Sequence, residues 1–174
     1  MTPTLSVLGP EHYAPFRALR GEALESSPRS YGTGAEDWRA ASEEAVTRML
    51  EHSRSQESGF ILGAWVEGVL VGVLGLKREA KAKARHKATL WGFFVQPGFR
   101  DRGVGGALVD EAMARAAQMD GLHLVRLMVT APDAAALHVV EARGFTRYGL
   151  ERDGLSLNGA HHDIVYLMRF VYPV

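Results

Sequence analysis

Residues 90–108 read Leu90-Trp-Gly-Phe-Phe-Val-Gln-Pro-Gly-Phe-Arg-Asp-Arg-Gly-Val-Gly-Gly-Ala-Leu108, and this stretch decides the fold. Its apolar run from Leu90 to Val95 is typical of a strand that is buried on both faces. Because proline cannot donate a ladder hydrogen bond, Pro97 predicts that strand pairing ends at about Gln96. A basic, glycine-rich turn follows, and a helix-forming run from Ala107 completes a strand–turn–helix unit.

The turn Arg100-Asp-Arg-Gly-Val-Gly-Gly106 has the composition of an anion-binding site. A helix that opens on such a turn presents unpaired backbone N–H groups at the positive end of its dipole, which favours phosphate. The three glycines let an anion approach the main chain without meeting a Cβ atom. Arg100 and Arg102 add positive charge, so the sequence predicts a phosphate-binding turn.

Three kinds of phosphate-binding turn can be compared with this one. A P-loop requires Gly-x-x-x-x-Gly-Lys-Ser/Thr, and no lysine follows these glycines. The dinucleotide fingerprint requires Gly-x-Gly-x-x-Gly, and Leu108 stands where its third glycine belongs. The pattern Arg/Gln-x-x-Gly-x-Gly/Ala is matched fully by Arg100-Asp-Arg-Gly103-Val-Gly105, with Val95-x-Pro97 just upstream. The stretch therefore resembles the central motif of the GNAT superfamily of acyl-CoA-dependent acetyltransferases.

Length and composition set the broad class of the protein. The 174 residues fit one domain over 1–174, and a formal charge of zero argues against nucleic acid or an anionic membrane as partner. The chain has no cysteine, which excludes a disulfide framework and a thiol nucleophile. The start at Met1 lacks a basic, apolar leader, and no segment has the roughly 18 apolar residues of a membrane span. These features predict a cytoplasmic protein.

Hydrophobic periodicity predicts the element order β α α β β β α β α β β. The predicted strands are 4–8, 60–66, 69–76, 90–95, 122–130, 145–150 and 162–171. The first predicted helix is 13–24, the second runs from Ala35 to before Ser53, and the third begins at Ala107. The fourth is 132–143, with Pro132 in its first turn. Residues 151–159 are predicted to be rich in turns. This order is that of the GNAT fold, an α/β fold (α+β by some schemes). The resemblance implies a mixed, mostly antiparallel sheet of about seven strands with a splayed parallel pair, flanked by about four helices.

A second resemblance lies near the end of the last predicted helix. Glu141-Ala-Arg-Gly144-Phe145 is similar to the end of the family signature Asn-x-x-Ala-x-x-x-Tyr-x-x-x-Gly-Phe. Asp133 stands at the Asn position, and Val140 stands where the family often has the Tyr that protonates the coenzyme thiolate. The segments 20–32 and 85–92 also resemble a bacterial subgroup of GNAT enzymes with unassigned acceptors.

The resemblance implies acetyl-CoA as cosubstrate and no metal. The backbone of Phe93, Phe94 and Val95 would contact the pantetheine arm and the thioester, and a main-chain N–H of Phe94 or Val95 would act as oxyanion donor. The remaining cofactor-binding residues implied are Arg100, Asp101, Arg102, Gly103, Val104, Gly105, Gly106 and Asp133.

The general base and the general acid stay open. The central strand has Thr89 where some relatives place a glutamate base. The candidate bases are Glu22, Glu25, Glu36, Asp37, His86 or a relayed water. Glu25 and Glu36 are preferred because they flank the loop that should cover the acceptor. The candidate acids are Tyr148, Tyr166 and His138, or bulk water through the channel, and Tyr148 is taken as the first choice.

The resemblance predicts an N-acetyltransferase in which a primary amine attacks acetyl-CoA directly in a ternary complex. A small-molecule acceptor is favoured because the long N-terminal helical region can close over a compact site. The alternatives are a protein N-terminal or lysine acetyltransferase and a non-catalytic acyl-CoA-binding or regulatory module. The expected partners are acetyl-CoA and an amine, not nucleic acid or a membrane, and a homodimer is compatible with the family.

Overall fold

The computed structural model describes residues 2–55, 57–131 and 133–172. Within these residues the strands span Thr4–Val7 (β1), Gly59–Val66 (β2), Val69–Arg78 (β3), Lys87–Val95 (β4), Leu124–Thr130 (β5), Thr146–Leu157 (β6) and Ala160–Phe170 (β7). The α-helices span Tyr13–Ser26 (α1), Ala35–Ala40 (α2), Glu43–His52 (α3), Val104–Ala116 (α4) and Ala134–Glu141 (α5). The strands form one sheet in the order β1-β2-β3-β4-β5-β7-β6.

The sheet is mixed, as predicted, because β4 and β5 are parallel while the other neighbouring strands are antiparallel. The parallel register joins only Lys87–Thr89 to Leu124–Arg126. Beyond Thr89 the two strands are no longer paired, although β4 continues to Val95 and β5 to Thr130. The expected splayed pair is therefore present at the centre of the sheet.

Helices cover both faces of this sheet. On one face α4 and α5 bury a core that includes Leu62, Leu74, Leu108, Val125 and Val140. On the other face α1, α2 and α3 bury a second core that includes Phe16, Leu24, Trp38, Leu50 and Ile61. The central strand β4 contributes to both cores, which explains its continuous apolar run.

Two tight turns set the antiparallel hairpins. Glu67 and Gly68 between β2 and β3 have φ values of 50° and 81°, the left-handed conformation of a two-residue hairpin turn. Asn158 and Gly159 between β6 and β7 do the same at 51° and 77°. The prediction of a turn-rich stretch over 151–159 holds only for Asn158 and Gly159, because β6 continues to Leu157 and pairs with β7 in an irregular register.

The helices differ from the prediction in two places. The single helix expected from Ala35 breaks at Ala41, and the side chain of Ser42 accepts a hydrogen bond from the Ala45 N–H, 3.2 Å away, to begin a new helix. The described residues thus form five α-helices rather than about four. Helix α4 begins at Val104, not at Ala107, because Gly103 caps it in the left-handed conformation with φ 80°.

Helix α5 begins at Ala134, and the predicted position of Pro132 in its first turn lies outside the described residues. Across the described ranges, none of the helices combines the length and the apolar character that crossing a membrane requires.

Candidate active site

A cleft of about 490 Å³ opens where β4 and β5 diverge, and we call it the splay cleft. Its walls come from β4, β5, the start of α4, one side of α5 and the loop after α1. This volume lies in the range of small-molecule sites, about 300 to 1,000 Å³. The divergence of the two strands therefore creates a concave site of the size that a small molecule needs.

The backbone of β4 is irregular where it borders the splay cleft. Trp91 pairs with Gly75 of β3 and Phe94 pairs with Val73, so Gly92 and Phe93 together face one residue of that strand. Gly92 has a φ of 66°, which a side chain would disfavour. This bulge changes the direction of β4, and the β4 main chain beyond Thr89 does not pair with β5. Backbone groups of β4 are thus left for a ligand.

Tyr31 joins the loop after α1 to this bulge. Its hydroxyl donates a hydrogen bond to the carbonyl oxygen of Phe93, 2.8 Å away. Burial raises the pKa of Tyr31 to about 12, and the nearby Arg20 opposes this shift. The hydroxyl therefore keeps its proton at neutral pH. Tyr31 carried no sequence signal beyond being an aromatic residue in a polar loop, so the prediction missed it.

The start of α4 forms one end of the splay cleft. The Ala107 N–H bonds the Gly103 carbonyl at 2.9 Å, so the N–H groups of 104–106 precede the first intrahelical bond. Gly105 lines the splay cleft, and a Cβ there would lie 3.1 Å from Cζ of Phe93. That separation is tight, so a side chain at 105 would require the Phe93 ring to shift.

The predicted residues around this turn have different environments. Arg100 lines the splay cleft and its Nε donates to the Val95 carbonyl, 2.9 Å away, which ties the turn to the end of β4. Asp101 also lines the cleft, with a φ of 57°. Arg102 lies 5.9 Å from the centre of the Phe99 ring and is outside the cleft lining.

Gly106 lies in contact with the guanidinium of Arg143, between α4 and the end of α5. Its carbonyl accepts a hydrogen bond from Nε of Arg143, 3.0 Å away, and a side chain at 106 would collide with that guanidinium. Arg143 also donates to the Val139 carbonyl at 3.0 Å and lies 3.0 Å from Oδ1 of Asp110. This arginine therefore joins the end of α5 to the first half of α4 beside the splay cleft.

The second family signature lies on the opposite wall. Asp133 lines the splay cleft and caps α5, where its side chain accepts from the Ala136 N–H at 3.0 Å. Val140 is fully buried, lines the cleft and has no proton to give. His138, a candidate acid from the sequence, lies on the same helix and also lines the cleft.

The structure does not bring Tyr148 to the cleft, which corrects its choice as first candidate for the general acid. Tyr148 is 48% exposed on β6, which β7 separates from β5. Its ring centre lies 5.9 Å from that of Tyr166, whose hydroxyl donates to Glu151. Tyr166 lies on β7, opposite Met128 of β5, and it is also outside the cleft lining.

The carboxylates preferred as bases are also outside the splay cleft. Glu25 is exposed and lies 3.6 Å from Nε of Arg39, and Glu36 is exposed in the first turn of α2. Glu22 accepts a hydrogen bond from Nε2 of Gln96, 2.7 Å away, and so links α1 to the end of β4.

Thr89 occupies the last paired position of β4, opposite Arg126. Nη2 of Arg126 donates to Glu79 at 2.6 Å and to Oγ1 of Thr89 at 3.4 Å. Over the part of the chain that the structure describes, His, Asp and Glu side chains form no group of three that could hold a metal ion.

A second cavity of about 550 Å³ lies on the other face of the sheet, beneath α1, α2 and α3, and we call it the helix-side cavity. Arg20, Trp38, His52, Phe60 and Trp91 are among the residues that line it. Trp91 lines the splay cleft as well, so the two cavities adjoin at β4.

Comparison with known proteins shows which family shares this architecture. The family described as Acetyltransferase (GNAT) family matches residues 22–145. YdaF of Bacillus subtilis (strain 168), named as a candidate ribosomal N-acetyltransferase, is 28% identical over 109 residues, which are 63% of this chain. The match spans only 58% of the length of that curated relative.

Solved structures share the fold over nearly the whole chain. A GNAT-family acetyltransferase from Streptococcus pneumoniae superposes with a TM-score of 0.86 and 20% identity, covering 97% of this chain and 98% of the other. A GNAT superfamily phosphinothricin acetyltransferase from Sinorhizobium meliloti, solved in complex with AcCoA, superposes with a TM-score of 0.84 and 17% identity, covering 98% and 89%. Because the family match spans well over half of the sequence, including β4 and the start of α4, the chain belongs to the acetyltransferase (GNAT) family.

Proposed function

We propose that the protein transfers the acetyl group of acetyl-CoA to the primary amine of a small molecule. The observation that carries this proposal is the continuity of the splay cleft. It has the glycine-rich start of α4 at one end and the unpaired backbone of β4 along one side. A pyrophosphate and a peptide-like arm are the two chemistries that such a cleft accommodates.

In the proposed complex, the backbone N–H groups of 101–106 hold the pyrophosphate, with Arg100 and Asp133 bordering the same cleft. The pantetheine amides pair with the β4 backbone at Phe93, Phe94 and Val95. The AcCoA complex of the Sinorhizobium meliloti relative supports this choice of cosubstrate.

The proposed reaction is a direct displacement. The amine nitrogen attacks the thioester carbonyl carbon, the new N–C bond forms, and the C–S bond breaks. A backbone N–H of Phe94 or Val95 stabilises the oxyanion. The amine releases one proton, and the departing thiolate takes one up.

We assign the thiolate proton to His138, because it is the one candidate acid from the sequence that lines the cleft. Since Glu25 and Glu36 do not line the cleft, the proposed route for the amine proton passes through water to one of these surface carboxylates.

A second candidate acceptor is the N-terminal amine of a protein. It is favoured by the similarity to YdaF, whose name refers to ribosomal acetylation. An acyl-CoA-binding module without activity is the third candidate, and Val140 at the usual acid position is the observation that favours it.

Thiol release from acetyl-CoA separates these candidates. The panel contains small amines, free amino acids and peptides with a free N-terminus, with CoA binding followed by calorimetry. Release with small molecules supports the proposal, and release with peptides alone supports the protein acceptor. Tight binding without release from any member of the panel supports the binding module.

A further inference from the structure

Arg20 of α1 is a buried cation that lines the helix-side cavity. The residue is only 7% exposed, and its Nη1 atom has no hydrogen-bond partner within the described ranges. Its guanidinium carbon lies 4.4 Å from the centre of the Tyr31 ring. A buried guanidinium normally has a carboxylate partner, because removing an unpaired charge from water is costly. An anion from outside the chain would meet that requirement.

The walls of the helix-side cavity indicate which anion fits. Lys77 and His52 are its other titratable residues, and none of the described residues that line it is acidic. Trp38, Phe60 and Trp91 supply aromatic surface to the same cavity. A cavity that combines basic residues with aromatic surface and has no acidic residue among its described lining matches a carboxylate on an apolar body.

Arg20 also lies beside the bulge of β4. A Cβ placed on Gly92 would be 3.5 Å from Nη1 of Arg20, and Trp91 borders both cavities. The proposed function puts the thioester at this bulge. A carboxylate bound to Arg20 would therefore hold an amine on the same small molecule close to the acetyl group.

We infer that the acceptor is an amine that also carries a carboxylate and an apolar body, as an apolar amino acid does, and that Arg20 binds its carboxylate. This inference rests on the proposed function and narrows its substrate class. The inference predicts that the protein acetylates such an amine in preference to the same amine without the carboxylate.

Matched pairs of acceptors test the inference. L-phenylalanine is compared with phenethylamine, and L-leucine with 3-methylbutylamine, in the wild type, Arg20→Met and Arg20→Lys. Arg48→Met on the exposed surface of α3 is the matched control.

The wild type should prefer each amino acid. Arg20→Met should raise KM for the amino acids on the order of ten- to a hundredfold, as expected for the loss of a charged hydrogen bond. Its KM for the decarboxylated amines should hardly change, and Arg20→Lys should recover part of the preference.

A binding measurement gives a second readout without turnover. N-acetyl-L-phenylalanine should quench the fluorescence of the tryptophans that line the helix-side cavity, and N-acetyl-L-phenylalanine amide should do so much more weakly. Arg20→Met should abolish this difference, whereas a merely structural role for Arg20 would lower the affinity for both ligands equally. If Arg20→Met does not fold, the wild-type comparison of acid with amide decides.

The outcomes separate the two proposals. Equal use of both members of each pair by the wild type overturns the inference and leaves the acetyltransferase proposal intact. A preference that survives in a folded Arg20→Met overturns the assignment to Arg20. Binding of acetyl-CoA with no thiol release from any amine overturns the proposed function and the inference with it.

Discussion

The hydroxyl of Tyr31 and the carbonyl oxygen of Phe93 are 2.8 Å apart and hydrogen-bonded, so the loop after α1 is tied to the bulge of β4. Tyr31→Phe removes the donor and leaves the carbonyl unpaired in the splay cleft. We expect a loss of about 1 kcal/mol in the free energy of unfolding, measured by urea denaturation. We also expect weaker binding of CoA by calorimetry, because the β4 backbone is then less well positioned. Tyr148→Phe is the matched control, since that hydroxyl is on the exposed outer strand pair; equal effects of the two variants would contradict the prediction.

The same hydroxyl predicts a dependence of stability on alkaline pH. Burial raises the pKa of Tyr31 to about 12 in the folded protein, from an ordinary value of 10.0. Between these values the unfolded state loses its proton first, so stability that is fully present below pH 10 is lost as the pH rises toward 12. Between pH 9 and pH 11 the stability difference should move by about 1.4 kcal/mol in favour of Tyr31→Phe, so the variant becomes the more stable of the two proteins. A difference that stays constant over this interval would show that the phenol titrates normally.

Gly105→Glu tests the proposal that the start of α4 binds the pyrophosphate. The new side chain would meet Phe93 and place a carboxylate where the pyrophosphate should bind. We expect the affinity for CoA to fall at least about a hundredfold in calorimetry, because charge repulsion adds to the steric conflict. Ala114→Glu adds the same charge on the exposed side of α4 and should leave the affinity nearly unchanged. Undiminished affinity in Gly105→Glu would remove the basis for the phosphate site.

His138→Gln tests the proton donor. If His138 protonates the departing thiolate, kcat should fall about tenfold, less than is usual for a general acid because a thiolate is a good leaving group. Tyr148→Phe should retain wild-type kcat, and a large loss in that variant instead would restore the tyrosine as the acid.

Arg143→Met tests the lock between α4 and α5. The change removes hydrogen bonds to the carbonyls of Gly106 and Val139 and the contact with Asp110. We expect unfolding to become easier by about 1 to 3 kcal/mol in urea denaturation. Arg152→Met is a suitable control because that side chain is 82% exposed. A loss no greater than the control would mean that solvent replaces these bonds without cost.

Local signals explain which parts of the structure could be predicted. The strand–turn–helix unit of 90–108 and the Glu67-Gly68 hairpin depend on residues that are close in sequence, and both are present. The break before Ser42 depends on one side chain that competes with the helix, which an apolar pattern does not reveal. The length of β6 depends on pairing with β7, not on its own polar composition.

Within the candidate site, only the residues that form a contiguous motif could be predicted from local sequence. The anion turn is a contiguous motif, whereas the contact between Tyr31 and Phe93 spans 62 positions and that between Arg143 and Gly106 spans 37. The burial of Arg20 likewise arises only when α1 packs on the sheet. Such residues have no local signature, so tertiary structure is needed to find them.

The short parallel register between β4 and β5 has a consequence for how the protein unfolds. With only residues 87–89 and 124–126 in register, few backbone hydrogen bonds couple the β1–β4 half of the sheet to the β5–β7 half. A ligand that pairs with β4 in the splay cleft would act as additional connecting structure between the halves. Amide hydrogen exchange should then slow on both sides of the cleft when CoA binds, as two cooperative units merge into one.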